Sequence, residues 1–213
     1  MTVKENLSRI LKDTKNYSAT LIAVTKYYGV EKMTEAFDAG LRHFAESRAL
    51  DAIEKIGKID DTTKSQSVYH FIGHLQTNKV KYVVGNFEYI HSVDSLKLAR
   101  CVDLEAKKKG IIQKILIQVN NAFEEQKFGI TPDELDNLIK EIAKLKSIEL
   151  KGFMNIAPLG ADENELRKLF SEMQKLKERY NLEELSMGMS NDYKTALENG
   201  ATMIRLGRIL FEN

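Results

Sequence analysis

The sequence predicts an α/β protein, a (β/α)8 TIM barrel with an extra N-terminal helix. Short β-rich runs alternate with longer stretches of helical periodicity from Thr20 to the end, the pattern of repeated β-α units around a parallel sheet. Eight such strands can be counted, and no long linker interrupts them. With 213 residues the chain has material for one sizeable core, so a single domain over residues 1–213 is expected, at the compact end for a closed barrel.

The elements follow in order. Val3 to Lys12 is polar and amphipathic, a helix placed to cover one side of the barrel. The strands are expected at Leu21 to Val24, Arg42 to Ala45, Tyr69 to Ile72, Tyr89 to Ser92, Ile115 to Val119, Leu150 to Met154, Leu185 to Met187 and Met203 to Leu206. Between them, apolar residues recur near the helical period in Val30 to Ala39, Arg48 to Ile56, Thr77 to Val84, Ser95 to Lys109, Pro132 to Leu145, Asn164 to Tyr180 and Asn191 to Asn199. Thr131-Pro132-Asp133-Glu134 supplies an N-cap, a proline at the first helical position and acids beside the positive end of the helix dipole. Gly40, Gly110 and Gly200 each follow a helical run, where a residue without a Cβ ends a helix in the left-handed conformation.

Composition removes several function classes. Lys and Arg number 32 against 31 Asp and Glu, so no field of one sign is available to gather nucleic acid or coat a membrane. The lone Cys101 excludes a disulfide framework and is expected to be a buried, inert thiol. The polar start and the absence of a long apolar run lead to the expectation of a soluble cytoplasmic protein. His43, His70, His74 and His91 show no metal-ligand spacing, so no metal site is expected.

In such a barrel, sites lie at the carboxyl ends of the strands. Lys26 stands there, directly after the apolar run that ends in Thr25, where its amine would enter the barrel mouth. An amine is nucleophilic when neutral, and partial desolvation favours that form, which suits an imine-forming lysine. Taken alone, a solvated strand-end lysine accounts for the same residue. Leu185-Ser-Met-Gly-Met-Ser190-Asn-Asp places a small, flexible turn between a strand and a helix. Free N–H groups there, with the hydroxyls of Ser186 and Ser190, offer an anion site, and N-capping by Ser190 accounts for the segment equally well. Arg205 alternates with apolar Ile204 and Leu206, which turns its guanidinium into the barrel, where it needs a partner such as a nearby carboxylate. Gly207 permits close backbone approach at the last strand end. His70 lies in a polar cluster after the third strand with Gln76, Asn78 and Lys79.

Together these stretches resemble the pyridoxal phosphate homeostasis protein family, single-domain relatives of the barrel domain of alanine racemase. The resemblance is carried by Ala23-Val-Thr-Lys26, His70-Phe-Ile-Gly73 with Leu75-Gln-Thr-Asn-Lys79, Ile90-His-Ser-Val-Asp94, Ile117-Gln-Val-Asn120 with Lys127-Phe-Gly129, Leu185 to Asp192, and Gly200 to Gly207. It implies that Lys26 carries pyridoxal 5′-phosphate (PLP) as an internal imine. It further implies that Ser190, Gly207 and the amide of Arg208 hold the phosphate, and that Arg205 faces the pyridine nitrogen. Ser47, His70, Ser186 and Met187 complete the cofactor-binding set. An arginine at the ring nitrogen disfavours the pyridinium that makes PLP a strong electron sink, so a carrier of PLP, monomeric and able to pass it to apoenzymes, is expected. The alternatives are a weak PLP-dependent amino-acid racemase and a Schiff-base aldolase; the second acid/base domain that the racemases use is not found before Asn213. Two positions depart from the family. Ala45-Glu-Ser-Arg48 has Ser47 where the family shows asparagine, and Arg208 stands where a threonine or serine is usual.

Overall fold

The computed structural model describes residues 2–124 and 126–212. Eight parallel strands, β1 (Thr20–Val24), β2 (His43–Glu46), β3 (Val68–Phe71), β4 (Tyr89–Val93), β5 (Gln113–Gln118), β6 (Ile148–Met154), β7 (Glu184–Ser186) and β8 (Met203–Leu206), close into a barrel in sequence order, β8 returning to β1. The register is regular from β1 to β3, with Ala23 opposite Phe44 and Ala45 opposite His70. It shifts by one residue between Ile90 and Val93 on β4 and again opposite Ile115 and Leu116 on β5. Such a bulge increases twist locally and re-aims side chains, here at His91 and Ser92, both of which are buried.

The helices are α1 (Val3–Thr14), α2 (Val30–Asp38), α3 (Ala49–Gly57), α4 (Asp61–Ser65), α5 (Val80–Val83), α6 (Leu96–Lys109), α7 (Leu135–Ile142), α8 (Glu163–Arg179), α9 (Tyr193–Glu198) and α10 (Arg208–Phe211). Their ends follow from local chemistry. Thr2 and Glu5 form a capping box at α1, and Thr131 and Glu134 form another around the 3-10 turn Pro132–Glu134 that leads into α7. Gly110 ends α6 in the left-handed conformation, φ 65°.

Several expected helices are shorter. The segment from Thr77 to Val84 splits into a 3-10 turn, Thr77–Lys79, and the single turn of α5, and α9 begins at Tyr193 rather than Asn191. α4, capped by Asp60 through its bond from the Thr63 amide, lacks the apolar period that announces a longer helix. Cys101 is half-buried at the edge of the core, not fully buried.

Period-2 alternation sorts the side chains into two environments. Outward-facing Ala23, Phe44, Phe71, Ile90, Ile115, Ile117, Phe153 and Ile204 pack under the helices in the main core. Inside the barrel the apolar set is much smaller: Ile22, Ala45, Leu116, Met154 and Met203. The remaining interior is polar, an arrangement that requires every donor to be placed. α1 packs on α2, α9 and α10, burying Val3, Leu7 and Ile10, and the Asn6 amide donates to the Leu210 carbonyl at 3.1 Å. No helix among the described residues is long and apolar enough to cross a membrane.

Candidate functional site

A cavity of about 800 Å³ opens at the carboxyl ends of the strands, within the range of small-molecule sites. Val24, Lys26 and Tyr28 from the end of β1, Ile156 to Ala161 after β6, Met189 to Asp192 after β7, and Arg205, Gly207 and Arg208 at the end of β8 line it.

Lys26 stands two residues beyond β1, and the strand end beneath it is fixed by a buried cluster. The Thr25 hydroxyl donates to Glu46 Oε1 at 2.7 Å, and the Lys55 ammonium donates both to the same oxygen at 2.5 Å and to the Thr25 carbonyl at 2.7 Å. The Glu46 side chain is 3% exposed and that of Lys55 14%, so this pair from β2 and α3 is shielded from water. Lys26 itself is exposed, with Nζ 5.0 Å from the centroid of the Tyr27 ring. The desolvation expected from the sequence is therefore not supplied by the protein alone. What the fold supplies is a rigid strand end and an open path to the amine.

The turn after β7 depends on Gly188. Its φ is 90°, and a Cβ there would lie 2.6 Å from the Ala196 Cβ and 3.0 Å from the Tyr193 Cα. Asp192, not Ser190, is the N-cap of α9; its carboxylate accepts from the Met189 amide, and burial pushes its pKa up. The expected N-cap role of Ser190 is thus corrected. Ser190 Oγ instead accepts from the Ile209 amide of α10 at 3.4 Å, tying the β7 turn to the end of β8. The amides of Ser190, Asn191, Gly207 and Arg208 have no acceptor among the described residues. All four residues line the cavity, where such amides suit an anion. α9 and α10 have six and four residues, too few peptide dipoles for a large macrodipole, so local N–H groups rather than a helix dipole provide the attraction. Arg208 lies exposed at the rim, with no ion pair among the described residues.

Arg205 does turn inward and is 4% exposed, but no carboxylate among the described residues is in contact with it, against the expectation from sequence. Nη1 donates to Ser186 Oγ and Nη2 to the Asn155 carbonyl, each at 2.7 Å. Burial lowers its pKa to about 10, so it remains charged at neutral pH, with Asp192 acting on it only from a distance. Beside it, the buried Asn155 Oδ1 has no partner among the described residues.

The other candidates separate. Ser186 is fully buried and its hydroxyl is taken up by Arg205 and His91, so it does not serve as the expected donor in the turn. Met187 is buried in the main core. Ser47 lines a separate depression with Arg48, His74 and Lys79 rather than the main cavity. His70 lies inside the barrel, fully buried, between His43 and His91. Sequence reasoning missed Glu46, Lys55, His43 and His91. For the histidines the signal was present: strand alternation puts His43, His70 and His91 on the inner faces of three consecutive strands.

The profile of the alanine racemase N-terminal domain family matches residues 2–212. A pyridoxal phosphate homeostasis protein of Synechocystis is 41% identical over 200 residues, covering 91% of each chain. Another from Aquifex aeolicus is 34% identical over 226 residues, covering 99% of this chain and 98% of the relative. The solved structure of PipY from Synechococcus elongatus without PLP superimposes with a TM-score of 0.91 at 36% identity, covering 98% of this chain and 99% of that one. Its PLP-bound counterpart gives 0.89 at 34%, with the same coverage. An alanine racemase of Clostridium difficile shares the fold, at a TM-score of 0.79 and 17% identity, with 98% of this chain matching 56% of the enzyme. A barrel of this topology, carrying a strand-end lysine and an inward arginine and matched over 91% and 99% of its length by these two homeostasis proteins, belongs to the pyridoxal phosphate homeostasis protein family.

Proposed function

We propose that this chain, acting as a single domain over residues 1–213, binds PLP in the strand-end cavity with Lys26 as covalent anchor, and that it stores and releases the cofactor. The observation that carries the reading is Arg205, a buried guanidinium with no contacting carboxylate among the described residues, in the same cavity as a reachable lysine and four amides that have no acceptor among those residues. A buried unpaired cation is costly, and an anionic, phosphate-bearing ligand relieves that cost. When bound, PLP supplies an aldehyde that bonds amines reversibly and a ring that withdraws electrons.

The residues divide the work. Lys26 provides the amine. Ser190, with the amides of Gly207 and Arg208, receives the phosphate in a setting where each bond is charge-assisted. Arg205 would face the ring nitrogen as a donor and, staying protonated, would keep a proton off that atom, which would restrain carbanion chemistry. The potential acid/base groups beside the cavity are tied up. The Tyr28 hydroxyl donates to Glu212 at 2.7 Å, and burial raises its pKa to about 12. Lys127 pairs with Glu124 and donates to the Ala157 carbonyl at 3.0 Å. These features support a holder of PLP over a fast catalyst, and with them goes the further proposal, carried over from the sequence, of a monomeric cytoplasmic carrier that passes its cargo to apoenzymes. The test is the absorption spectrum of the protein loaded with PLP, followed by borohydride reduction and peptide mapping. Label on Lys26 and loss of the visible band in Lys26→Ala are expected; label on Lys79 or Lys127 with Lys26 untouched would refute the assignment.

A further inference from the structure

The barrel interior holds an unbroken file of polar side chains that crosses four strands. His43 Nδ1 lies 3.0 Å from His70 Nε2, His70 Nδ1 lies 2.9 Å from His91 Nε2, and His91 Nδ1 lies 3.0 Å from Ser186 Oγ, which accepts from Arg205 Nη1 at 2.7 Å. His70, His91 and Ser186 are fully buried, whereas His43 is half-buried at the opposite, amino-terminal mouth. None of these imidazoles has a carboxylate in hydrogen-bond contact among the described residues.

The direction of the file follows from one donor that cannot reverse. A guanidinium only donates, so Ser186 Oγ accepts from Arg205 and has a single hydrogen to give. Its remaining neighbour is His91 Nδ1, which must accept it. A neutral His91 then carries its hydrogen on Nε2 and donates to His70 Nδ1, and His70 by the same step donates from Nε2 to His43 Nδ1. The reverse arrangement, with all hydrogens on Nδ1, leaves the Ser186 hydrogen buried without an acceptor and turns N–H groups toward the guanidinium. Each fault costs free energy in a water-free interior. In the forward arrangement every lone pair points toward Arg205.

We propose that His43, His70, His91 and Ser186 form a one-directional hydrogen-bond file whose aligned dipoles hold the charge and orientation of Arg205 in place of a carboxylate. A carboxylate in contact would neutralise Arg205 and weaken its pull on a bound anion. A file of neutral dipoles stabilises the cation while leaving its full charge available to the cavity. The histidines and Ser186 are positioning residues, since they act through Arg205. That burial holds His70 and His91 neutral, His70 with a pKa of about 3, is consistent with this role.

The link to the cofactor rests on the function proposed above, so the experiment has two separable parts. In 15N-labelled protein without PLP, long-range 1H–15N correlation of the imidazoles at pH 7 reads each tautomer. Hydrogen on Nε2 of all three file histidines is expected; hydrogen on Nδ1, or an imidazolium, at His70 or His91 would overturn the file. The second part compares Ser186→Ala with Ser186→Thr, which keeps the hydroxyl. The alanine variant is expected to bind PLP about tenfold or more weakly, the loss associated with a hydrogen bond to a charged group, and to mix the His91 tautomers. The threonine variant is expected to restore both. Unchanged affinity, spectrum and tautomers in Ser186→Ala would overturn the action on Arg205. Failure of the parent protein to bind PLP would refute the functional proposal and leave the tautomer result standing.

Discussion

Acidification should unfold this protein through its buried histidines. His70 and His91 are fully buried and their pKa values are lowered from the ordinary 6.5, chiefly because burial disfavours the charged form. Unfolding releases both imidazoles to water, where they bind protons at their ordinary pKa. The unfolded state therefore holds more protons than the folded state below pH 6.5, and stability falls with pH in that window. For His70 the loss continues until the folded imidazole itself titrates at about 3. An imidazole neutral in the folded protein and titrating at 6.5 in the unfolded chain costs about 2 kcal/mol of stability between pH 7.5 and 5, so the pair costs about 4 kcal/mol. Asp192 works in the opposite sense. Its pKa is raised by burial, so the folded state gains a proton first as pH falls, which offsets part of the loss. Against a typical domain stability of about 5–15 kcal/mol, the net loss is easily seen. Urea unfolding followed by circular dichroism at several pH values between 7.5 and 5 measures it, and His70→Leu should reduce the pH slope by about half whatever its absolute stability. A loss below about 1 kcal/mol over this range would refute the reasoning, because it would mean that the imidazoles are protonated in the folded state or accessible to water.

Three other outcomes are expected. Lys55→Met leaves the Glu46 carboxylate buried and unpaired beneath Lys26, a change that should cost about 3–5 kcal/mol in urea unfolding and return toward parent stability when combined with Glu46→Gln. Arg208→Ala should weaken PLP by about 1.5–3 kcal/mol with pyridoxal hardly affected if the side chain meets the phosphate; calorimetry showing equal PLP affinity in mutant and parent would reject that contact and leave the amide of Arg208 as the contributor. Saturated with PLP, the protein should show no amino-acid racemisation or transamination above a trace in a coupled assay, and a turnover of roughly 1 per second or more would contradict the restraint attributed to Arg205.

The sequence by itself determined the barrel. Strand alternation at Phe44, Ile90 and Ile204 and the caps at Thr131 and Gly110 are local signals, written within a few residues of the structure they cause. It also placed Lys26 at the strand-end mouth, because a residue after an apolar parallel strand has only one place to go, and it determined the inward turn of Arg205 through Ile204 and Leu206. What only the tertiary structure decided is which side chains meet across strands. Nothing near Arg205 in sequence announces that its partners are Ser186, 19 positions away, and the Asn155 carbonyl, 50 positions away, or that no carboxylate among the described residues touches it. Likewise Ser190 reads as a cap for the helix that follows it, yet its hydroxyl accepts from Ile209, 19 residues on, because closure of β7 against β8 brings the two turns together. Thr25, Glu46 and Lys55 come from a strand end, the next strand and the helix after it, and become one cluster only when β1 and β2 pair in register. Pattern along the chain fixes which face a residue occupies. Its partner is fixed by register and barrel closure, and these depend on the packing of all eight strands at once.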